Sequence, residues 1–268
     1  MMMTRTRAMV VAMLAASSAA ACAGGGLPAP GVAGPAGVPG FDTREYPGED
    51  AMRAWADASP YEWVGFYLPA PCYTGTSWIG QRDALRASGW GLAVLFVGEQ
   101  DWSGEAEAPT PGLGQRCTRS NLTAAQGRED AMEAGRTAAL EGFPTGTAIF
   151  LDVERVASVS DPLAAYVRGW VRGLLEGGTY VPALYAHAEN ADALYALVLA
   201  AYEEAGAAGQ PPLWVATSRG FQRGAAPTLS GFPNAAIWQG AFDVRESWGG
   251  VELTIDVNVA TSAEPSGG

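Results

Sequence analysis

The stretch that decides the fold is TAIFLDVE, residues 147–154, in which an apolar run ends in two carboxylates. A run of apolar residues without polar alternation predicts a strand buried on both faces, as in a parallel sheet. Side chains two residues apart share a face, with Cα atoms about 6.6 Å apart, so Asp152 and Glu154 project together from the strand end. Mutual repulsion and partial burial then raise the pKa of one carboxyl above that of the other. The plain alternative is that Asp152 caps the next segment and Glu154 is solvated.

Short apolar runs and amphipathic segments continue to alternate from residue 39 to residue 260. Apolar, β-branched or aromatic runs predict eight strands, at 39–43, 63–68, 91–97, 148–154, 181–187, 212–217, 235–241 and 253–259. Helical periodicity predicts five helices between them, at 49–58, 77–88, 123–141, 162–176 and 190–205. The connections after the sixth and seventh strands are short or irregular.

Eight strand repeats within residues 39–260 predict an α/β fold, a (β/α)8 TIM-like barrel with irregular last helices. A doubly wound open sheet is the alternative. In a barrel, functional side chains collect at the carboxyl ends of the strands. The residues that the sequence places there are Asp42, Asp152, Glu154, Tyr185, Trp238, Gln239 and Asp256.

The N-terminal residues have the composition of a targeting segment. Two arginines precede an apolar stretch and an Ala-rich zone, which together predict a secretory signal at residues 1–21. Cys22 stands where bacterial lipoproteins are acylated, and simple cleavage nearby without lipidation is the alternative. Residues 22–38 are rich in Gly, Ala and Pro and predict a flexible tether, and the tail at 261–268 is expected to fray. We therefore expect a secreted or cell-envelope protein, attached to a membrane only if Cys22 carries lipid.

The charge balance excludes one class of partner. The chain has 16 basic side chains, all of them arginine, against 28 acidic ones, and its net charge is −12. Such a surface repels a phosphate backbone and the chain has no basic stripe, so we expect no nucleic acid partner. An apolar fraction of 48% is sufficient for a real core, and we expect a monomer.

Cysteine and histidine usage limits the chemistry further. Apart from Cys22, the mature chain has Cys72 and Cys117, and in an oxidising compartment this pair is most simply a disulfide. Their spacing does not match metal ligands and His187 is the single histidine, so a Cys/His zinc site and a Ser-His-Asp triad are disfavoured. We expect no metal and no cofactor. A divalent cation held by the strand-end acids is the alternative.

Six short motifs occur in an order that is found in a known family. They are GFDT at 40–43, IFLDVE at 149–154, VPALYAH at 181–187, PPLWVAT at 211–217, AAIWQG at 235–240 and LTIDVNV at 253–259. With this set the chain resembles the family 25 glycoside hydrolases, the lysozyme-type muramidases, and more closely the glycoside-hydrolase-like domain catalogued as domain of unknown function 1906. The resemblance implies a β/α barrel with an acidic groove, and peptidoglycan or another amino-sugar glycan as partner. For the muramidases it implies cleavage of the β-1,4 bond after N-acetylmuramic acid.

The resemblance also implies roles at the matching positions. Glu154 is then the general acid/base that protonates the leaving oxygen, and Asp152 orients the substrate's N-acetyl group or stabilises the charged intermediate. Asp42 and Asp256 match acids that line the same groove and keep Glu154 protonated. The implied substrate-binding residues are Tyr185 with its hydroxyl, Trp238 as a sugar-stacking indole, and Gln239.

Other interpretations stay open at this point. The two aromatic residues are also consistent with barrel packing, Asp42 with a turn, and Asp256 with an arginine partner. Phe96 ends the third strand where the muramidase pattern has an aromatic hydroxyl. Residues 98–121 form a long insertion that is either a lid over the groove or a disulfide-pinned surface loop. Two functions remain: a glycan hydrolase with Glu154 as acid, and an inactive glycan-binding or scaffold protein of the same fold.

Overall fold

Eight strands form the closed wall of a barrel, and their order around the barrel is their order along the chain. The structure is a computed structural model that describes residues 36–101 and 117–267. The strands are β1 (Val38–Asp42), β2 (Trp63–Tyr67), β3 (Gly91–Val97), β4 (Ala148–Val153), β5 (Val181–His187), β6 (Leu213–Ala216), β7 (Ala235–Trp248) and β8 (Val251–Ala260). The predicted TIM-like barrel is confirmed, because a closed wall excludes the open doubly wound sheet.

Five α-helices connect the strands in the described part of the chain: α1 (Glu49–Ala58), α2 (Arg82–Ala87), α3 (Ala124–Leu140), α4 (Asp161–Gly177) and α5 (Ala188–Glu204). Two of the three longest begin at side-chain caps, because Thr123 accepts the N–H of Gln126 and Ser160 accepts the N–H of Leu163. α4 ends at Gly178, whose left-handed φ of 65° favours glycine. No helix among these residues has the length and apolar character that a membrane crossing requires.

One strand runs against the other seven, which corrects the all-parallel sheet that the apolar runs predicted. β1 to β7 pair in parallel, whereas β8 is antiparallel to both β7 and β1. The physical reason is the connection between the last two strands. Gly249 and Gly250 form a two-residue turn with φ of 58° and 81°, and such a turn joins adjacent strands into a hairpin.

Aromatic and aliphatic side chains fill the barrel interior. Trp214 has its ring centroid 5.6 Å from those of both Trp63 and Phe150, and all three side chains are fully buried. Gly40 is required beside them, because a Cβ at this position would lie 2.1 Å from the Trp63 ring. A filled interior leaves the carboxyl ends of the strands as the place where a ligand can enter.

Phe96 belongs to a second core on the outer side of the wall. It is fully buried with Leu151 and Tyr166, whereas Ala93 and Leu95 of the same strand belong to the interior cluster. Successive residues of a strand face opposite sides, so Phe96 points away from the groove. This position corrects the expectation that Phe96 stands where a groove hydroxyl is needed.

The C-terminal residues pack against the barrel, which corrects the expectation of a frayed tail at 261–268. Ser266 is only 3% exposed. Its hydroxyl accepts the N–H of Val94 at 2.8 Å, and its carbonyl accepts the N–H of Ala148 at 2.7 Å. The tail thus satisfies backbone groups of β3 and β4 that have no strand partner there.

A disulfide and a buried carboxylate hold the connection from β3 to α3. Cys72 and Cys117 form the disulfide, with Cα atoms 4.8 Å apart. Glu99 is 1% exposed and accepts two hydrogen bonds from the segment that precedes α3. Most of the predicted lid, at 102–116, lies outside the described residues, as do the signal and most of the tether, at 1–35.

Candidate active site

The structure brings together the four acids that the sequence places at strand ends. Asp42 ends β1, and Asp256 on β8 is its direct cross-strand partner. Asp152 lies in β4, and Glu154 follows immediately after the end of that strand. Charge repulsion acts on Asp42 from Asp256 and on Asp152 from Glu154. The four carboxyl groups therefore form one electrostatically coupled cluster at the barrel mouth.

Asp42 is the centre of a buried hydrogen-bond network. Tyr67 donates its hydroxyl to Oδ2 at 2.7 Å, and the side-chain amide of Asn258 donates to Oδ1 at 2.8 Å. Trp214 donates its indole N–H to Oδ1 of Asn258 at 3.1 Å, which fixes the orientation of that amide. Burial and then repulsion by Asp256 raise the pKa of Asp42 to about 7, although both hydrogen bonds lower it. Asp42 is therefore partly protonated near neutral pH.

Asp152 is buried, and one of its carboxylate oxygens has no protein partner. The residue is 6% exposed, and Oδ1 makes no hydrogen bond within residues 36–101 and 117–267. Burial, followed by repulsion from Glu154 and Asp42, raises the pKa of Asp152 well above its usual range. A buried carboxylate oxygen without a hydrogen-bond partner costs folding free energy, and such groups concentrate at functional sites. Oδ1 is thus available to a ligand.

Gln100 fixes the strand end that carries both β4 acids. Its Nε2 donates to the carbonyl oxygen of Asp152 at 2.8 Å, and its Oε1 accepts the backbone N–H of Glu154 at 3.0 Å. These two hydrogen bonds of Gln100 form a clamp on the backbone. The Glu154 side chain extends beyond it and is 45% exposed, and its Oε2 lies 3.6 Å from Nε2 of His187. Glu154 therefore stands at the mouth of the site, where a ligand from solvent can reach it.

A bulge in the β7–β8 hairpin holds Asp256. The strand register shifts on both sides of Ala241, and Asp243 takes a left-handed φ of 52°. The Asp243 N–H donates to Oδ1 of Asp256 at 2.7 Å, and Nε2 of Gln239 donates to Oδ2 at 2.5 Å. Burial raises the pKa of Asp256 to about 6, because it outweighs these two hydrogen bonds. Bulges of this kind commonly re-aim groups beside active sites.

Two of the three residues predicted to bind substrate lie on the inner face of the barrel. Tyr185 is 7% exposed and packs edge-on against Trp214, with centroids 5.6 Å apart. Burial and then the Asp152 charge raise the pKa of Tyr185, so its hydroxyl stays neutral and can donate a hydrogen bond. Gln239 is 2% exposed, and its hydrogen bond to Asp256 makes it a support for that acid.

Trp238 lies on the opposite face of β7, and its expected role needs correction. The indole is fully buried, and its N–H donates to the carbonyl of Thr217 at 2.7 Å. Its ring packs edge-on against Phe221, with centroids 5.1 Å apart. Adjacent strand residues face opposite sides, so an inward Gln239 places Trp238 outward. No ring face is left on which a sugar can stack.

The sequence predictions missed four residues of the site: Tyr67, Gln100, His187 and Asn258. For two of them a signal was present. Tyr67 ends β2 as Asp42 ends β1, and Asn258 follows Asp256 by two residues and so shares its face. Gln100 lies in an irregular connection, and the place of His187 depends on its contact with Glu154, so neither role was visible without the tertiary structure.

The spacing of the acids gives no support to a bound cation. In the described part of the chain, the group of three or more His, Cys, Asp or Glu whose ligand atoms lie within 4.8 Å of one another is Cys72, Glu99 and Cys117. The disulfide uses both of these sulfur atoms. The four strand-end acids do not form such a group among these residues.

An α/β barrel with clustered carboxyl groups at its strand ends is an arrangement that occurs in glycoside hydrolases. The chain belongs to the family of the Rv2525c-like, glycoside hydrolase-like domain, whose model matches residues 53–260. The match confirms the family resemblance that the motifs indicated. None of the curated protein sequences matches this chain.

Solved structures share the fold at low sequence identity. An uncharacterised B. stearothermophilus protein matches with a TM-score of 0.56 and 19% identity, over 85% of this chain and 98% of its own. The Tat-secreted protein Rv2525c of Mycobacterium tuberculosis, solved with L-tartrate, matches with 0.52 and 14%, over 84% and 96%. The modular autolysin LytC from Streptococcus pneumoniae matches with 0.53 and 13%, over 84% of this chain and 46% of its own. The chain thus has a glycoside-hydrolase-like fold that it shares with an autolysin.

Proposed function

We propose that the protein is a secreted or lipid-anchored glycoside hydrolase that acts on peptidoglycan or a related amino-sugar glycan. Glu154 is its general acid/base, and Asp152 assists. The observation that carries the proposal is the buried, unpartnered Oδ1 of Asp152, two residues before a half-exposed Glu154. Family membership supports the reaction class. For the substrate, the support is that the structurally similar LytC was solved with a synthetic peptidoglycan ligand.

The proposed reaction uses the substrate's own N-acetyl group. Glu154 donates its proton to the glycosidic oxygen as the bond from that oxygen to the anomeric carbon breaks. The acetamido carbonyl oxygen forms the new bond to the anomeric carbon, which gives a cyclic oxazolinium. Oδ1 of Asp152 accepts the acetamido N–H and turns the carbonyl toward that carbon. Water then opens the ring and gives its proton to Glu154, so the enzyme is restored and the configuration is retained.

Asp42 and Asp256 support this chemistry through their charge state. With pKa values of about 7 and 6, both are partly protonated at mildly acid pH. Less negative charge then surrounds Glu154, so a glycan that carries carboxylates is repelled less strongly. Well above pH 7 both Asp42 and Asp256 are ionised, so activity is expected to be highest at mildly acid pH.

The test is release of reducing ends from purified peptidoglycan by the mature domain. Glu154→Gln keeps the shape of the side chain and removes its transferable proton, so release is expected to disappear. Glu176→Gln is the matched control, because it removes an exposed carboxylate on α4 that pairs with Arg128 and lies outside the cluster. Release that survives Glu154→Gln would sink the proposal.

A specific observation favours the second candidate, a glycan-binding protein of this fold that has lost its chemistry. The Glu154 side chain is 45% exposed, whereas active sites usually shield a reacting acid from water. Under this alternative Glu154→Gln leaves glycan affinity unchanged, and no reducing ends appear with either form. A pull-down with insoluble peptidoglycan then retains both proteins equally.

The proposed cellular location rests on the sequence alone, because residues 1–35 lie outside the described part of the structure. We propose a secretory signal at 1–21 and acylation of Cys22, which would hold the barrel at the envelope through its Gly/Pro-rich tether. The relative Rv2525c is described as Tat-secreted. Membrane fractionation that Cys22→Ser abolishes would support the anchor, and soluble release of the wild type would reject it.

A further inference from the structure

A cleft of about 570 Å³ opens beside the acid cluster. Its walls are the end of β5, the loop after β6, the 3₁₀ helix Pro227–Ser230 and the bulge of β7. Small-molecule sites commonly measure about 300–1,000 Å³, so the cleft has room for one or two sugar units. The lining residues that bear on its chemistry are His187, Thr217, Arg219, Ser230, Phe232 and Phe242.

Phe242 supplies the exposed aromatic surface that Trp238 does not. Its side chain is 40% exposed, and its ring lies nearly parallel to that of His187, with an interplanar angle of 8° and centroids 6.4 Å apart. Phe242 directly precedes Asp243, the left-handed residue whose N–H binds Asp256. One bulge therefore sets both the ring and the acid. An exposed aromatic ring is a natural platform for the apolar face of a pyranose.

His187 connects the cleft to the proposed chemistry. Its ring stacks with Phe242, and its Nε2 lies 3.6 Å from Oε2 of Glu154. A sugar that stacks on Phe242 is therefore adjacent to the unit whose bond Glu154 would cleave. The cleft continues the acid cluster rather than forming a separate site.

Arg219 gives the cleft a selective charge. It is exposed at the wall and makes no ion pair with a carboxylate in residues 36–101 and 117–267. Glu189, which lines the same cleft, is paired with Arg155 at 3.4 Å. A guanidinium is a planar fork of donors that matches a carboxylate, so Arg219 is suited to an anionic substituent of a sugar.

We infer that this cleft binds the sugar unit next to the scissile bond, and that Arg219 selects a unit that carries a carboxylate while Phe242 supports its ring. The inference rests on the proposed function for the identity of the glycan, but the binding it predicts is measurable without turnover. A muramyl unit without a stem peptide carries such a carboxylate on its lactyl ether, whereas a polymer of N-acetylglucosamine is neutral.

The experiment measures glycan affinity by calorimetry in a Glu154→Gln background, in which no hydrolysis is expected. The two probes are muramyl-containing oligosaccharides freed of their peptides, and the same oligosaccharides with their carboxyl groups converted to amides. We expect the charged probe to bind about five- to tenfold more tightly, the effect of one charged hydrogen bond at an exposed site. Arg219→Gln removes this difference, and Arg219→Lys retains part of it. Phe242→Ala weakens the binding of both probes.

Arg172→Gln is the matched control, because it removes an exposed guanidinium on α4 that pairs with Glu204 and does not line the cleft. The inference is supported if Arg172→Gln still binds the charged probe more tightly than the amidated probe and Arg219→Gln does not. Equal affinity of the parent for both probes, an unchanged preference in Arg219→Gln, or no binding of either probe overturns it. If the protein binds the charged probe preferentially but the wild type releases no reducing ends, the proposed hydrolase activity is rejected. The assignment of the cleft as a binding site for a charged sugar is then retained.

Discussion

Asp152 and Glu154 are two residues apart on one strand, yet they lie in different environments. Asp152 is 6% exposed and has an unpartnered oxygen, whereas the Glu154 side chain is 45% exposed at the mouth. The two residues are about 6.6 Å apart along the strand, yet the first is buried and the second is partly exposed to solvent. The spacing that makes the pair visible in the sequence also divides its work. In the function proposed above, the buried acid orients the substrate, and the exposed acid exchanges protons with substrate and water.

Removing each acid in turn gives the largest expected effect. Glu154→Gln is expected to lower kcat about 10²–10⁴-fold, the usual range for a general acid, with the free energy of unfolding within about 0.5 kcal/mol of wild type. Asp152→Asn is expected to lower kcat about 10²-fold and to raise the free energy of unfolding at pH 8, because it removes a buried charge. Reducing-end kinetics and urea unfolding measure both quantities. Equal stability changes in the two variants would contradict the division between them.

The pH dependence of stability sharpens the same contrast. The folded-state pKa values of Asp42, about 7, and Asp256, about 6, lie above the ordinary value of 3.8. The folded state then binds more protons than the unfolded state in this window. The free energy of unfolding is therefore expected to fall as pH rises from about 4 to 8, by up to about 6 kcal/mol from these two acids together. Urea titrations across this range should show a shallower fall for Asp152→Asn than for Glu154→Gln, and the reverse order would contradict the account.

Loosening the clamp that holds both acids tests whether their relative position matters. Gln100→Leu removes the hydrogen bonds to the Asp152 carbonyl and the Glu154 N–H, so kcat is expected to fall about tenfold. The free energy of unfolding is expected to fall by about 1–3 kcal/mol. Gln126→Leu is the control, since that residue bonds to Asp130 on α3, away from the site. A similar loss of stability with unchanged kcat is expected there. Equal kcat in both variants would remove Gln100 from the positioning role.

The smallest effect on the site is expected from Trp238. Because the indole is buried on the outer face, Trp238→Phe is expected to lower the free energy of unfolding by about 1–3 kcal/mol and to leave glycan affinity unchanged. Calorimetry with the muramyl probe and urea unfolding check both expectations. A loss of affinity without a loss of stability would restore the stacking role to Trp238.

The barrel and its acid cluster were predictable because their signals are local. Apolar runs such as TAIFL give the strands, and a carboxylate at the end of a run gives the position of each acid. The inward and outward faces follow from alternation, which also contradicts the joint assignment of Trp238 and Gln239 to one groove. That conflict was present in the sequence, since adjacent strand residues do not share a face.

Other features depend on tertiary contacts and were not predictable. Gly249 and Gly250 are a hairpin signal, but the strand before them was predicted to end at residue 241, whereas β7 continues to Trp248, so the reversal of β8 was missed. The tail binds through Ser266 because β3 and β4 leave the backbone N–H groups of Val94 and Ala148 without strand partners. No local sequence pattern predicts which backbone groups lack a partner. The contact of His187 with Glu154 likewise requires two neighbouring strands to be placed side by side.

The most direct test of the central claim is to identify by mass spectrometry the new ends that the mature domain produces from peptidoglycan at about pH 6. We expect new reducing ends at N-acetylmuramic acid with the wild type and none with Glu154→Gln. An absence of new ends with the wild type, or the same ends with Glu154→Gln, would contradict it.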